Sequence, residues 1–262
     1  MGLVKSILKR TFVHGLVRRR RLLAEASAKA SSWTAHDRQM TQFYSQFVSA
    51  GDLCFDVGAN IGNRVKIFLK LGARVIAIEP QAECASALRK VYRGDRRVTV
   101  IQKALGESIC HADMMIGNRS VVSSMSPEWI QSLTKSGRLT GDTWDRRQSV
   151  SVTTLDTLIE QEGVPAFIKI DVEGFEYHVM MGLSRPPKAL SFEFHPEFME
   201  VPLKCAERLR QMGAVCWNYS LGESMQLALE HWVASEEIVP ILMRIRAEGK
   251  SYGDLYARLN GS

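Results

Sequence analysis

The sequence has no apolar run near the ~18–20 residues that a membrane-spanning helix needs, so no spanning helix is expected. Its five cysteines, Cys54, Cys84, Cys110, Cys205 and Cys216, include no C-x-x-C pair and are odd in number. They predict neither a disulfide framework nor a structural zinc site, and they fit a reducing, cytoplasmic setting. With 19 glycines and 8 prolines in 262 residues, collagen-like and low-complexity classes are excluded. No internal repeat is present. The body also lacks net charge, since residues 37–262 carry 26 basic and 27 acidic side chains. A nucleic-acid-binding body is not expected, because phosphate contacts need clustered lysine and arginine.

Acid is scarce only at the N-terminus. Residues 1–36 hold one glutamate, Glu25, against eight lysines and arginines, so the formal charge of +6 belongs to this arm. Within 1–21, Leu3/Val4, Ile7/Leu8, Phe12 and Leu16/Val17 recur at helical spacing, with Lys5, Lys9, Arg10 and Arg18 on other faces. That is a basic amphipathic helix. It suits peripheral docking on an anionic membrane surface, and equally a helix lying across the body with a solvated basic end. We divide the chain into this arm (1–36), a central domain (37–235) and a helical tail (236–262).

From residue 53, short β-rich runs alternate with helical ones. Strands are predicted at Leu53–Val57, Arg74–Ile78, Val98–Lys103, Ala166–Ile170 and Ala189–Phe194. Residues 214–219 and 225–233 read as a closing hairpin. The polar stretch 117–149 reads as an excursion over the site. The alternation predicts an α/β fold, a doubly wound and mostly parallel sheet. Ligands of such sheets bind beyond the carboxyl ends of the strands, so the polar residues ending those strands carry the information.

Asp56-Val57-Gly58-Ala59-Asn60-Ile61-Gly62 follows the first strand and opens a helical run. Its glycines allow close backbone approach to a ligand, and a helix start offers free N–H groups. It lacks the third glycine of the dinucleotide fingerprint. Glu79 ends the second strand before Pro80, near the spacing at which an acid accepts from both ribose hydroxyls. Asp171 and Glu173 follow the most apolar strand, and Glu193 and His195 end the next, two residues apart and on one side. Asp171, Glu173, Glu193 and His195 offer oxygen and nitrogen ligands to a divalent cation, but acids that position a hydroxylated substrate look the same. No metal is assigned.

DVGANIG at Asp56–Gly62, Glu79-Pro80, Ala104-Leu105-Gly106, Ser123-Ser124, Thr154-Leu155-Asp156, IDVEGFE at Ile170–Glu176 and FEFH at Phe192–His195 together resemble, in order, the FkbM family of S-adenosylmethionine-dependent methyltransferases. The resemblance spans roughly residues 50–235. It implies the class I methyltransferase (Rossmann-like) fold, a seven-stranded sheet whose last hairpin is antiparallel. It implies S-adenosyl-L-methionine as cofactor, with Asp56, Gly58, Asn60, Ile61, Gly62, Glu79, Pro80, Ala104 and Asp171 around it. Gly58, Asn60 and Gly62 would hold the methionine part, Glu79 the ribose, and Ala104 would lie near the adenine. The acceptor it implies is a small molecule or glycan with a free hydroxyl. His195 or Glu173 is then the expected base, with Glu193 orienting His195 or the substrate. Ser123 and Ser124 either bind substrate or belong to a plain loop. Two rival readings are an NAD-linked oxidoreductase and a non-catalytic module docking through its arm.

Overall fold

The computed structural model describes residues 2–213, 215–249 and 251–259, with side chains from Val17 onward. In chain order the elements are α1 (Gly2–Ser31), α2 (Ala35–Tyr44), β1 (Leu53–Val57), α3 (Val65–Lys70), β2 (Arg74–Ile78), α4 (Ala82–Val91), β3 (Val98–Ile101), β4 (Ala104–Leu105), β5 (Cys110–Ile116), α5 (Pro127–Lys135) and β6 (Arg146–Thr153). They continue with α6 (Leu155–Glu162), β7 (Phe167–Ile170), α7 (Glu176–Met181), β8 (Ala189–Phe194), α8 (Glu200–Met212), β9 (Val215–Leu221), β10 (Val233–Ala234), α9 (Ser235–Ala247) and β11 (Gly253–Leu259).

Eight strands form the main sheet in the order β10-β9-β11-β8-β7-β1-β2-β3. β3, β2, β1, β7 and β8 run parallel, and β11 is antiparallel to both β8 and β9. The expectation was seven strands, so the doubly wound sheet is right and its count is not. A separate three-stranded sheet, β4-β6-β5, lies beside it. The chain leaves β1 toward β3 on one side and returns as β7 on the other. This is the switch point where a crevice opens.

The central strands are apolar on both faces because both faces are covered. Phe55, Val57, Ile168 and Ile170 point into one core. Cys54, Val75, Ala77 and Phe167 point into the other, with Tyr44, Phe68 and Tyr256. The period of two along each strand makes that division.

Two segments differ from expectation. The run 225–233 contributes almost nothing to a hairpin, and only Val233–Ala234 pairs with β9. The strand beside β9 is β11, in the tail expected to be helical: α9 fulfils that reading, and Gly253–Leu259 does not. Leu255 and Ala257 face one core and Tyr256 the other, which is the alternation of a sheet interior. The excursion 117–149 does cover the site, but it carries α5 and its own small core of Val122, Trp129, Leu133 and Leu139. Ser126 caps that helix by accepting from the Trp129 N–H, with Pro127 at its first position.

The arm is one helix, and its later turns lie across the body. Leu22 and Ala26 are buried against Ile61, Cys84 and Ala87, and the small Ala26, Cys84 and Ala87 let α1 and α4 approach closely. The apolar side chains expected from Leu3 to Phe12, and Leu16, lie outside the described residues. No helix among the described residues is long and apolar enough to cross a membrane.

Candidate active site

A cavity of about 410 Å³ opens at the carboxyl ends of β1, β2, β7 and β8, the size range of small-molecule sites. Asp56, Gly58, Asn60, Glu79, Pro80, Ala104, Asp171, Glu173, Glu193 and His195 all line it. Ile61 and Gly62 do not. Ile61 turns into the core under α1, and a Cβ at Gly62 would meet Leu88 Cδ2 at 2.9 Å. The turn 58–64, not a helix start, faces the cavity, since α3 begins only at Val65.

Gly58 is required for a reason the sequence does not show. It sits at φ +83°, and a Cβ there would lie 1.8 Å from the Asp171 carbonyl oxygen. Its close neighbour is therefore the end of β7. Asn60 is left-handed at φ 48°, and its N–H donates to Glu79 Oε2 at 2.7 Å. The Gln81 N–H donates to Glu79 Oε1, also at 2.7 Å. Each carboxylate oxygen keeps a further lone pair for a ligand. Burial pushes Glu79 up to about 7, against those two backbone hydrogen bonds. Burial likewise pushes Asp56 up to about 7, and its Oδ2 is buried with no partner.

A second group gathers on the opposite wall. His195 Nε2 lies 3.1 Å from Glu193 Oε2, and these side chains are 11% and 14% exposed. One ligand atom each of Glu173, Glu193 and His195 falls within 4.8 Å of the others. Burial, then repulsion from Glu193 and Asp171, raises Glu173 well above the usual carboxylate range. Burial pulls His195 down, but the hydrogen bond and charge of Glu193 outweigh it and leave the imidazole raised. Trp129 meets the His195 ring edge-on and Tyr252 stacks beside it, each with centroids 5.7 Å away.

Behind these groups lie residues that sequence reasoning missed. Lys169 is fully buried in β7, with Nζ 2.8 Å from Asp254 Oδ1 and 3.4 Å from Asp171 Oδ2. Asp254 arrives on β11. Glu176 accepts from the N–H groups of Gly174 and Val172, which holds the 172–175 turn in shape. Trp129 packs where a Cβ at Gly174 would sit, 2.3 Å from its own Cβ. Ser123 and Ser124 are buried and engaged: Ser123 Oγ bonds Gln81 Oε1 and Gly117 N, and Ser124 Oγ donates to the Glu173 carbonyl. They belong to the wall's framework.

Comparison with curated proteins yields no significant match. Among solved structures, the fold resembles a TehB-like SAM-dependent methyltransferase from Corynebacterium glutamicum (10% identity, 96% of this chain and 100% of that one, TM-score 0.49). It also resembles a precorrin-6y C5,15-methyltransferase from Geobacter metallireducens (12%, 84% and 87%, TM-score 0.38). A third is a SAM-dependent O-methyltransferase from Thermotoga maritima (10%, 91% and 71%, TM-score 0.40). The sequence itself matches the methyltransferase FkbM domain over residues 56–213, from the last polar residue of β1 to the end of α8. The carboxyl ends of β1, β2, β7 and β8, which line the cavity, fall inside that span, and on this match the chain belongs to the FkbM methyltransferase family, whose methyl donor is S-adenosylmethionine.

Proposed function

We propose that the enzyme methylates a hydroxyl oxygen of a small-molecule or glycan acceptor. The observation that carries this is the Glu173–Glu193–His195 group, which faces the cavity across from Glu79. A hydroxyl is a poor nucleophile at neutral pH, and a positioned base is worth about 10²–10⁴-fold.

The residues present fit the cofactor. Glu79 offers two buried acceptor oxygens to the ribose hydroxyls, and Asp56 Oδ2 is an unpaired buried acceptor beside the 58–60 turn. Ala104 and Val122, which line the cavity, would supply apolar wall for the adenine, and Asp171 would stand near the amino group or the methyl transfer path. When bound, S-adenosylmethionine supplies an electrophilic methyl on a sulfonium. The chain aligns the acceptor oxygen behind that methyl, and alignment of this kind can be worth ~7–11 kcal/mol. His195 accepts the hydroxyl proton. Glu193 holds the ring and stabilises the imidazolium that forms, as its raised pKa already indicates. Glu173, raised well above the usual carboxylate range by burial and by Glu193 and Asp171, is the alternative base. Trp129 and Tyr252 flank the His195 ring and restrict its motion.

Labelled S-adenosylmethionine incubated with sugars, lipid-linked sugars and hydroxylated small molecules, followed by mass analysis, tests this reading. Label on an acceptor oxygen supports it, and label confined to nitrogen or carbon refutes it. The exposed side chains of Arg19, Arg20 and Arg21 favour arm contact with an anionic surface. Flotation with anionic vesicles, compared with a chain carrying Arg19→Gln, Arg20→Gln and Arg21→Gln together, tests that part. Equal flotation removes it.

A further inference from the structure

We infer that Arg18, in the arm outside the family match, is a positioning residue for cofactor binding. Its guanidinium reaches the loop that walls one side of the cavity: Nη1 donates to the Gly117 carbonyl at 2.8 Å, and Nη2 approaches Gln81 Oε1 at 3.5 Å. Those two acceptors belong to a closed set of bonds. The Gly117 N–H donates to Ser123 Oγ, which donates to Gln81 Oε1 at 2.9 Å. Gln81 Nε2 donates to the Ser120 carbonyl at 3.0 Å, and Ser120 Oγ donates to Asn60 Oδ1 at 3.0 Å. The Gln81 N–H closes the set on Glu79 Oε1.

Gln81, Ser120, Val122, Ser123, Asn60 and Glu79 all line the cavity, and Arg18 does not. It therefore acts through them. The loop has little other freedom, since a Cβ at Gly117 would strike Val122 Cγ2 at 2.5 Å. It is anchored from outside by a charged donor on a helix that Leu22 and Ala26 fix to the body. The bond from Arg18 to Gly117 is charge-assisted and half-buried, the stronger kind. Without it, the Gly117–Ser123–Gln81 set is held by neutral bonds, the Arg119–Asp142 pair being the remaining charged tie of residues 117–123, and part of the ordering falls to the incoming ligand.

The test is calorimetric titration of the full chain with S-adenosylhomocysteine and with 5′-methylthioadenosine, which lacks the amino-acid part. Arg18→Gln is expected to weaken both by about tenfold, the loss of one charge-assisted bond. Arg18→Lys, whose single ammonium can still reach Gly117, is expected to recover most of the affinity. Arg20→Gln removes the same charge at an exposed position and is expected to bind as the unaltered chain does. Three results overturn the inference. They are unchanged affinities in Arg18→Gln, whatever its melting temperature, equal losses in Arg20→Gln, or no recovery in Arg18→Lys. A protein that binds neither ligand in any form refutes the cofactor assignment instead, so the two failures are distinct.

Discussion

Glu79 gives the sharpest quantitative expectation. It titrates at about 7 in the folded chain and near 4.5 otherwise, because burial disfavours its charge. Between those values the folded state binds a proton that the unfolded state does not. Its contribution to stability is thus full below about 4.5 and lost as pH rises through about 7, a span worth roughly 3 kcal/mol. A carboxylate that accepts ribose hydroxyls works best when ionised, so cofactor affinity moves the opposite way and falls as pH drops through about 7. Below that point the loss approaches tenfold per pH unit for one linked proton. Glu79→Gln separates the two effects. One amide oxygen replaces two carboxylate oxygens, so either the Asn60 or the Gln81 N–H then faces an NH₂ group. An unpaired buried N–H costs about 1–3 kcal/mol, and losing a charged acceptor at the ribose weakens binding roughly ten- to a hundredfold. Chemical denaturation and calorimetric titration with S-adenosylhomocysteine, each from pH 5.5 to 8.5, measure both quantities. The unaltered chain should show opposed slopes, and the variant should keep only what the other raised groups supply, Asp56 and Glu176 at about 7 together with Glu173, Glu193 and His195. An affinity that is flat across neutral pH in the unaltered chain refutes the ribose role.

Gly58→Ala should destabilise far more than Gly94→Ala. Both glycines have positive φ, so both share a backbone strain of ~1–2 kcal/mol, but only at Gly58 would the new Cβ stand 1.8 Å from the Asp171 carbonyl oxygen, while Gly94 has nothing within 4 Å. Equal denaturation midpoints would contradict that geometry. His195→Ala should leave S-adenosylhomocysteine affinity within about threefold while turnover falls roughly 10²-fold or more. Glu193→Gln should lower the pH at which the imidazole titrates, because the carboxylate is what raises it, shifting the acidic limb of the rate profile to lower pH. An unmoved limb assigns that limb elsewhere. Dialysis against EDTA should leave activity unchanged. Loss that Mn²⁺ restores would make Glu173, Glu193 and His195 ligands rather than proton-handling groups.

The strand-end acids were legible because sheet topology fixes where the carboxyl ends of parallel strands lie. Asp56, Glu79, Asp171, Glu193 and His195 each end a run that reads as a strand without structural help. Ile61 and Gly62 misled because a glycine pattern near a site does not say which glycine meets the ligand and which meets its own fold. Gly62 meets Leu88, and even Gly58 answers to Asp171. Lys169 was hidden for another reason. Between Ile168 and Ile170 it breaks an apolar run with no local excuse, and its partner Asp254 lies 85 residues away. An isolated buried charge signals a partner without naming it.

The tail shows how much follows from one misplaced strand. Read as a helical cap, residues 253–259 are remote from chemistry. As β11 they lie between β8 and β9, with Asp254 directly opposite Glu193. That register delivers the second carboxylate of the Lys169 network from β11 itself, and Tyr252, the residue just before the strand, stacks on His195. Gly253 permits it, since a Cβ there would lie 2.1 Å from the Ser220 carbonyl oxygen. The family match ends at residue 213, before any of this. The Glu79 wall of the cavity thus comes from the matched segment with Arg18 behind it, while Asp254 and Tyr252, which back Lys169 and His195, come from beyond it.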